Sequence, residues 1–283
     1  MKHPFRNALR TAAKRDFVWY FLNQTLFRLA DFGRSLRETE ESRFYTRAIS
    51  SFLTNTLRSG SPEVQVCHGP FKGMIYPVPD SLDRAMIPRI VGSYEKEIQP
   101  IIEEICSKSY ESIFDVGCAE GYYAVGLALR IPTAKVFAYD LRDSALLACR
   151  KMAQANDASD RIVTASFCDS EELRKKLTNE KSLIVSDCEG FETSLFNESV
   201  IPFLTNCDIL IETHDFVDIE ISSQLRKRFE RTHLITAIQS CDDITKAHTY
   251  SYPELQGYTL AERRVLLSEE RPSIMEWLYL TPR

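Results

Sequence analysis

Two glycines, four residues apart, follow an apolar run in the stretch Asp115-Val116-Gly117-Cys118-Ala119-Glu120-Gly121. Gly117 suits a tight turn, and Gly121 suits close packing of a following helix and the approach of a ligand to the backbone. The N–H groups of that helix's first turn would then face the ligand. The chain contains neither the dinucleotide pattern G-x-G-x-x-G here nor a phosphate-binding G-x-x-x-x-G-K-[ST] loop. Asp115, just before the turn, would repel a pyrophosphate and attract a positively charged group.

Acids also follow the next two apolar runs. Asp140 could accept bonds from both hydroxyls of a ribose, or it could cap the helix that follows. Asp169 could bind an adenine amino group, or it could cap a helix beginning near Glu171. Together with Asp115 these acids describe a nucleoside that carries a positive centre. Among cofactors, that description favours S-adenosylmethionine over NAD.

Carboxylates and a histidine follow two later apolar runs. These groups are Asp187, Glu189 and Glu192 after the first run, and Glu212, His214 and Asp215 after the second. Carboxylates and a histidine can remove the proton from a hydroxyl, which predicts catalytic roles for Asp187, Glu189 and His214. A second interpretation is a Mg²⁺ or Mn²⁺ site, built from Asp187, Glu212, His214 and Asp215, which would lower the hydroxyl's pKa. A third, purely structural interpretation has the acids capping helices.

Apolar runs of strand length alternate with helical patterns from residue 112 onward. The strands are predicted at 112–116, 135–139, 161–167, 182–186, 207–211, 233–238 and 276–280, and the helices at 122–130, 143–156, 170–179 and 219–230. Strands that are apolar throughout and alternate with helices predict an α/β fold with a parallel sheet covered on both faces. Ligands of such sheets bind beyond the carboxyl ends of the strands, where the acids described above fall.

The first third of the chain has a different character. Residues 1–62 predict a helical segment, and residues 63–94 predict a β-hairpin with a connecting region in which Pro88 marks irregular chain. Residues 95–283 are then the main domain. The stretch 1–58 holds 11 Lys and Arg against 5 Asp and Glu and is rich in aromatic residues. It either packs on the main domain or lies on an anionic membrane surface.

Composition excludes several classes of protein. The chain has 283 residues, a net charge of −5 and 44% hydrophobic residues, which is ordinary globular usage and a poor match to a nucleic-acid-binding protein. No apolar run approaches the roughly 20 residues that a transmembrane helix needs. The eight cysteines include no C-x-x-C pair, which favours free thiols in a cytoplasmic protein. A homo-oligomer is left open.

The motifs together resemble one known family. The segments that carry the resemblance are Ile113–Gly117, Val136–Asp140, Ser186-Asp187-Cys188-Glu189-Gly190-Phe191-Glu192, Asp208–Asp215, Gly69–Gly73 and Gly92–Glu95. In this order they resemble the FkbM family of class I S-adenosylmethionine-dependent methyltransferases over about 95–283. The D-x-E-G-x-E and E-x-H patterns are the most specific of them. Many members have an Asn in the glycine loop where this chain has Ala119 or Glu120.

The resemblance implies a doubly wound, Rossmann-like, seven-stranded sheet whose last strand is antiparallel. It also implies O-methylation of a small-molecule hydroxyl, in particular of a sugar in a glycoconjugate or glycosylated metabolite. The residues it implies for S-adenosylmethionine binding are Glu95, Asp115, Gly117, Cys118, Gly121, Tyr122, Asp140, Leu141, Asp169 and Asp187. Two alternatives stay open, namely an NAD-dependent oxidoreductase and a non-catalytic module that binds the cofactor.

Overall fold

The computed structural model describes residues 40–56, 63–77 and 85–283. Most of the basic, aromatic stretch 1–58 lies outside these residues, and so does its predicted contact with a membrane. Two compact units divide the chain, Met1–Ser50 and Ser51–Arg283, and the predicted boundaries at 62 and 94 stay predictions. Within the described ranges, no helix has the length and apolarity needed to cross a bilayer.

A small antiparallel hairpin precedes the main sheet. It pairs β1 (Glu63–Gln65) with β2 (Ile75–Pro77), with Val64 opposite Tyr76. The predicted hairpin is therefore present, and the segment between its two strands contains Gly69 and Gly73, both with positive φ.

Seven strands form the main sheet. They are β3 (Ser112–Val116), β4 (Lys135–Tyr139), β5 (Ile162–Ala165), β6 (Ser182–Ser186), β7 (Cys207–Thr213), β8 (His233–Gln239) and β9 (Glu276–Pro282). Their order is β5-β4-β3-β6-β7-β9-β8. Neighbours from β5 to β7 are parallel, while β9 runs antiparallel to both β7 and β8. The predicted seven-stranded α/β sheet with an antiparallel last strand is confirmed.

Ten helices are described: α1 (Glu40–Thr56), α2 (Met86–Val91), α3 (Gln99–Cys106), α4 (Tyr122–Arg130), α5 (Asp143–Ala155), α6 (Ser170–Lys176), α7 (Glu192–Leu195), α8 (Ile221–Phe229), α9 (Asp243–Thr249) and α10 (Leu260–Leu266). The prediction of irregular chain at Pro88 is wrong, since this residue lies in the first turn of α2. Proline is tolerated there because the first helical N–H groups have no intrahelical partner.

The central strands lie in the core. Every residue of β3, β6 and β7 is buried, as expected for a parallel sheet with helices on both faces. Phe114, Ile184 and Ile209 from these strands pack in one cluster with Leu225 and Phe229 of α8. Burying each such side chain contributes about 1.5–3 kcal/mol. This rigid core holds the strand ends, and therefore the acids that follow them, in place.

The strand order reverses at β3, which is where a doubly wound sheet binds its ligands. The chain runs outward from β3 to β5 on one side and returns to β6 on the other. Gly117 at the end of β3 has a φ of +93°, and a Cβ built there would lie 1.7 Å from the carbonyl oxygen of Asp187. The turn after β3 therefore lies directly against the end of β6.

Candidate active site

Asp115 lies in the last part of β3 and is buried. Its Oδ2 atom has no hydrogen-bond partner among the described residues. Burial raises the pKa of this carboxyl to about 8; a backbone hydrogen bond from Ala124 opposes the shift, and the negative charge of Asp187 adds to it. A cation placed beside Oδ2 would favour the ionised carboxylate. The turn therefore offers a buried acceptor suited to a positively charged ligand.

Asp140 follows β4 and is already hydrogen-bonded on both oxygens. Its Oδ2 accepts from the backbone N–H of Ala119 at 3.0 Å, and its Oδ1 accepts from the backbone N–H of Arg142 at 2.8 Å. The Arg142 side chain bonds both oxygens, with Nε and Nη2 each 3.1 Å away. Because that side chain is 61% exposed, it can move aside without breaking the core. Movement of this guanidinium would free both oxygens of Asp140 to accept bonds from another group.

Three other residues predicted to bind the cofactor differ from one another in exposure and in their contacts. Asp169 caps α6, since its Oδ1 accepts from the backbone N–H of Glu172 at 2.7 Å. Leu141 is 63% exposed beside Asp140 and offers an apolar surface for a flat ring. Tyr122 is buried, with its ring edge-on to Phe71. It therefore stabilises the turn after β3 by packing in the core.

Gly121 and Cys118 pack the turn against α5. A Cβ on Gly121 would lie 2.8 Å from the Sγ of Cys149, and the Cys118 thiol is buried beside it, with a pKa raised first by a hydrogen bond with Cys149. Gly121 therefore allows the start of α4 to pack closely on α5, whereas its position after the strand predicted close packing of a helix on that strand.

Glu95 is buried and has a positive φ of 46°. Its Oε1 lies 2.7 Å from Nη2 of Arg271, and its Oε2 accepts a bond from the Tyr123 hydroxyl. Burial raises the pKa of this carboxyl, and Arg271 opposes the shift. Both carboxylate oxygens of Glu95 are thus bonded to protein side chains, so Glu95 stabilises the site through protein contacts.

His214 follows β7 and joins three acids. Its Nδ1 lies 2.6 Å from Oε1 of Glu192, which is fully buried, and its Nε2 lies 3.3 Å from Oδ1 of Asp187 and 3.5 Å from Oε2 of Glu189. The Glu189 side chain is 81% exposed. The structure therefore brings together the predicted catalytic residues Asp187, Glu189 and His214.

The charge of His214 decides what it can do. Burial lowers its pKa, but hydrogen bonds with Asp187 and Glu192 outweigh burial and raise the pKa to about 10. At neutral pH the ring then carries both protons and cannot accept another. The raised pKa opposes proton acceptance by the ring at neutral pH, and the role of general base for His214 stays a prediction. Asp187, whose Oδ1 lies 3.3 Å from Nε2 of the ring, is the neighbouring carboxylate that could accept a proton instead.

Three of the four predicted metal ligands lie close together. One atom each from Asp187, Glu212 and His214 lies within 4.8 Å of the others. Asp215 points away, because its two oxygens accept from the backbone N–H and the hydroxyl of Ser222 in α8. Glu212 is bonded to the positively charged guanidinium of Arg271. Because a metal ligand must be free of such positive partners, this donor set does not fit a divalent cation.

Apolar side chains surround the acid cluster on the solvent side. Phe167 and Phe191 are in ring contact at 5.6 Å, and Phe216 lies 5.7 Å from the His214 ring. Val217 packs over Gly190, where a Cβ would lie 3.1 Å from its Cγ1 atom. Phe167, Phe216 and Val217 are each about half exposed. Partly exposed aromatic and aliphatic side chains therefore lie beside the segments that carry the acids.

The sequence analysis missed several positively charged partners. Arg142 and Arg271 both hold predicted site acids, and Arg89 forms an ion pair with Glu120 in the glycine loop, with Nε 3.0 Å from Oε1. The motifs contain only the acids, so no pattern pointed to these arginines. Only for Arg142 was there a signal, since it lies two residues after Asp140.

Comparisons with known proteins give partial matches. No known family profile matches the chain. A stretch of 139 residues, 47% of this chain and 47% of the relative, is 27% identical to a release factor glutamine methyltransferase of Flavobacterium psychrophilum. A stretch of 100 residues, 31% of this chain and 33% of the relative, is 34% identical to that of Chlorobaculum tepidum. The chain spans less than half the length of these curated relatives.

Solved structures with a similar fold include two methyltransferases. One is the precorrin-6y C5,15-methyltransferase of Geobacter metallireducens, with a TM-score of 0.44 and 12% identity over 67% of this chain and 92% of that chain. The other is an S-adenosylmethionine-dependent methyltransferase of Geobacter sulfurreducens in complex with S-adenosyl-L-homocysteine, with a TM-score of 0.41 and 13% identity over 67% of this chain and 91% of that chain. The fold assignment rests on the strand order and directions of the chain itself, which are those of the class I methyltransferase fold.

Proposed function

We propose that the chain is a methyltransferase that uses S-adenosylmethionine and methylates a hydroxyl of a small molecule. The observation that carries the proposal is the row of acids at successive strand ends, Asp115, Asp140 and Asp187, around the point where the strand order reverses. An unpartnered buried carboxyl oxygen on Asp115 suits a positively charged centre. Partial similarity to two methyltransferases supports the same class of reaction.

The proposed cofactor site uses residues on both sides of the turn after β3. Asp140 would accept the two ribose hydroxyls once Arg142 has moved, and exposed Leu141 would cover one face of the adenine. Asp169 retains its second oxygen for the adenine amino group. Bound S-adenosylmethionine would supply a methyl group activated on a positively charged sulfur.

The proposed proton path starts at Asp187. Its Oδ1 would accept the proton of the acceptor hydroxyl as the oxygen lone pair attacks the methyl carbon and the carbon–sulfur bond electrons pass to sulfur. His214, protonated and held by Glu192, would keep Asp187 and Glu189 oriented and would stabilise their negative charge. Alignment of the acceptor oxygen with the methyl group is the main contribution left to the protein.

The proposed acceptor is a sugar hydroxyl, because the motifs resemble the FkbM family. The second candidate is the amide of a glutamine in a release factor, favoured by the name of the two curated relatives. Asp187 suits either acceptor, since a hydroxyl and an amide both present a proton to a carboxylate. The NAD-dependent oxidoreductase is disfavoured, because the turn after β3 lacks the G-x-G-x-x-G pattern of dinucleotide-binding proteins.

Calorimetry on the full chain tests the cofactor. We expect S-adenosylmethionine and S-adenosylhomocysteine to bind at one site, and NAD not to bind. Saturable binding of NAD without binding of S-adenosylmethionine would overturn the proposal. Transfer of tritiated methyl groups to a panel of free and glycosidic sugars, run beside a purified release factor, then separates the two acceptors. Binding of both nucleosides without transfer to any acceptor would instead support the non-catalytic alternative.

A further inference from the structure

Arg271 lies just before β9 and connects three segments that are distant in sequence. Its Nη2 lies 2.7 Å from Oε1 of Glu95, its Nε lies 2.9 Å from Oε2 of Glu269, and its Nη1 bonds Oε1 of Glu212. The arginine side chain is only 12% exposed. Each nitrogen of the guanidinium therefore has its own carboxylate, and the whole arrangement is buried.

The three carboxylates would repel one another without a cation. Glu95, Glu212 and Glu269 are all buried, and a buried carboxylate needs a positive partner. Lys246 supplies part of this charge, since its Nζ lies 2.6 Å from Oε2 of Glu269. Glu95 and Glu212 have no other cationic partner among the described residues, so their neutralisation depends on Arg271.

The same cluster adjoins the acceptor side of the candidate active site. Glu212 shares a group of close donor atoms with Asp187 and His214, and such a set of oxygens and an imidazole is a usual environment for a divalent cation. The Arg271 guanidinium bonds Oε1 of Glu212 and so places a positive charge on one carboxylate of this group. A planar, permanently charged group with five donors can satisfy several carboxylates at once.

We propose that Arg271 is a positioning residue that takes the place of a divalent cation in this acid cluster. It neutralises Glu95 and Glu212 and holds them fixed behind the acceptor site. The cluster then binds no metal as long as the arginine is present. The expectation that methyl transfer survives a chelator rests on the proposed function. The expectation about metal binding to the cluster is independent of the proposed function.

Titration of the full chain with Mn²⁺, followed by electron paramagnetic resonance, tests the proposal. We expect no stoichiometric Mn²⁺ binding by the wild-type chain. Arg271→Met removes the charge at similar volume and should raise Mn²⁺ affinity at least ten-fold. Arg271→Lys keeps one charge but cannot bond three carboxylates, and it should give a smaller gain. Adding Glu212→Gln to Arg271→Met should abolish the gain, because it removes the freed ligand.

Arg226→Met is the matched control. Arg226 also bonds a carboxylate near β9, with Nη2 2.7 Å from Oε1 of Glu276, but it lies outside the cluster, so its loss should not create a metal site. Stoichiometric Mn²⁺ binding by the wild-type chain would overturn the proposal. So would unchanged Mn²⁺ affinity in Arg271→Met or, if that variant folds neither with nor without Mn²⁺, in Arg271→Lys. A gain in Mn²⁺ binding by a chain that transfers no methyl group would contradict only the proposed function.

Discussion

His214 and Glu192 form an ion pair in the interior, with Nδ1 2.6 Å from Oε1. The histidine follows β7 and the glutamate begins α7, so the pair connects the ends of two neighbouring segments of the site. Glu192 also accepts from the backbone N–H of Gly190 at 3.1 Å. Since Asp187, Glu189 and Glu192 all come from the segment after β6, one protonated ring orders the whole segment.

Replacing Glu192 with Gln should destabilise the chain in a pH-dependent way. The pKa of His214 is raised from 6.5 to about 10, so its stabilising contribution is complete below about pH 6.5 and is lost as pH rises through about 10. In Glu192→Gln this loss should be complete at a lower pH, and the free energy of unfolding at pH 8 should fall by about 3 kcal/mol. Chemical denaturation between pH 6 and 10 measures both effects.

Glu189→Gln is the control for that experiment. Glu189 is mostly exposed and lies 3.5 Å from the ring, so its removal should change the free energy of unfolding by less than about 1 kcal/mol. Equal losses in the two variants would contradict the central position assigned to Glu192.

Arg142→Ala should strengthen binding of S-adenosylhomocysteine, because the arginine side chain occupies both oxygens of Asp140. The exposed ion pair is worth up to about 1 kcal/mol, so the gain should be about five-fold at most. Asp140→Ala should have the opposite effect and weaken binding about 100-fold, or about 3 kcal/mol. Calorimetry measures both. Arg150→Ala on the exposed side of α5 is the control, and a weaker affinity in Arg142→Ala would show that the arginine assists the ligand.

Gly117→Ala should destabilise the chain severely. The added Cβ would lie 1.7 Å from the Asp187 carbonyl oxygen, and the backbone has a φ of +93°. Gly257→Ala is the matched control, since Gly257 has a φ of +87° and no atom lies within 4 Å of a Cβ there. The conformation alone costs about 1–2 kcal/mol in both variants. A similar thermal midpoint for the two would mean that the turn after β3 does not pack on the end of β6 as described.

Asp115→Asn should remove part of the pH dependence of stability. The carboxyl pKa is raised from 3.8 to about 8, so the folded chain keeps a proton that the unfolded chain releases, and stability is lost as pH rises from about 4 to about 8. The asparagine cannot ionise and escapes this loss. The thermal midpoint of the variant relative to that of the wild-type chain should therefore be higher at pH 9 than at pH 5. Asp160→Asn, an exposed acid, should keep the wild-type behaviour; the prediction fails if Asp115→Asn does the same.

Much of the fold can be predicted from local patterns. The bounds of β3, β4 and β6 agree with the predicted strands, because each strand contains an apolar run and is followed directly by a glycine or an acid. Helices α9 and α10 were not predicted. They are seven residues each, too short for a clear helical period, and their start is marked only by the capping residues Asp242 and Thr259.

The sequence by itself determined which acids lie at the rim of the sheet, because parallel strands place their carboxyl ends at one edge. Only the tertiary structure decided how those acids are paired. Glu95, Glu212 and Glu269 meet on Arg271 because the segment before α3, the end of β7 and the segment before β9 come together in space. Glu95 and Arg271 are 176 residues apart in the sequence. The protonation of His214 likewise depends on burial and on the distance to Glu192. Such charges depend on through-space contacts, which a motif does not contain.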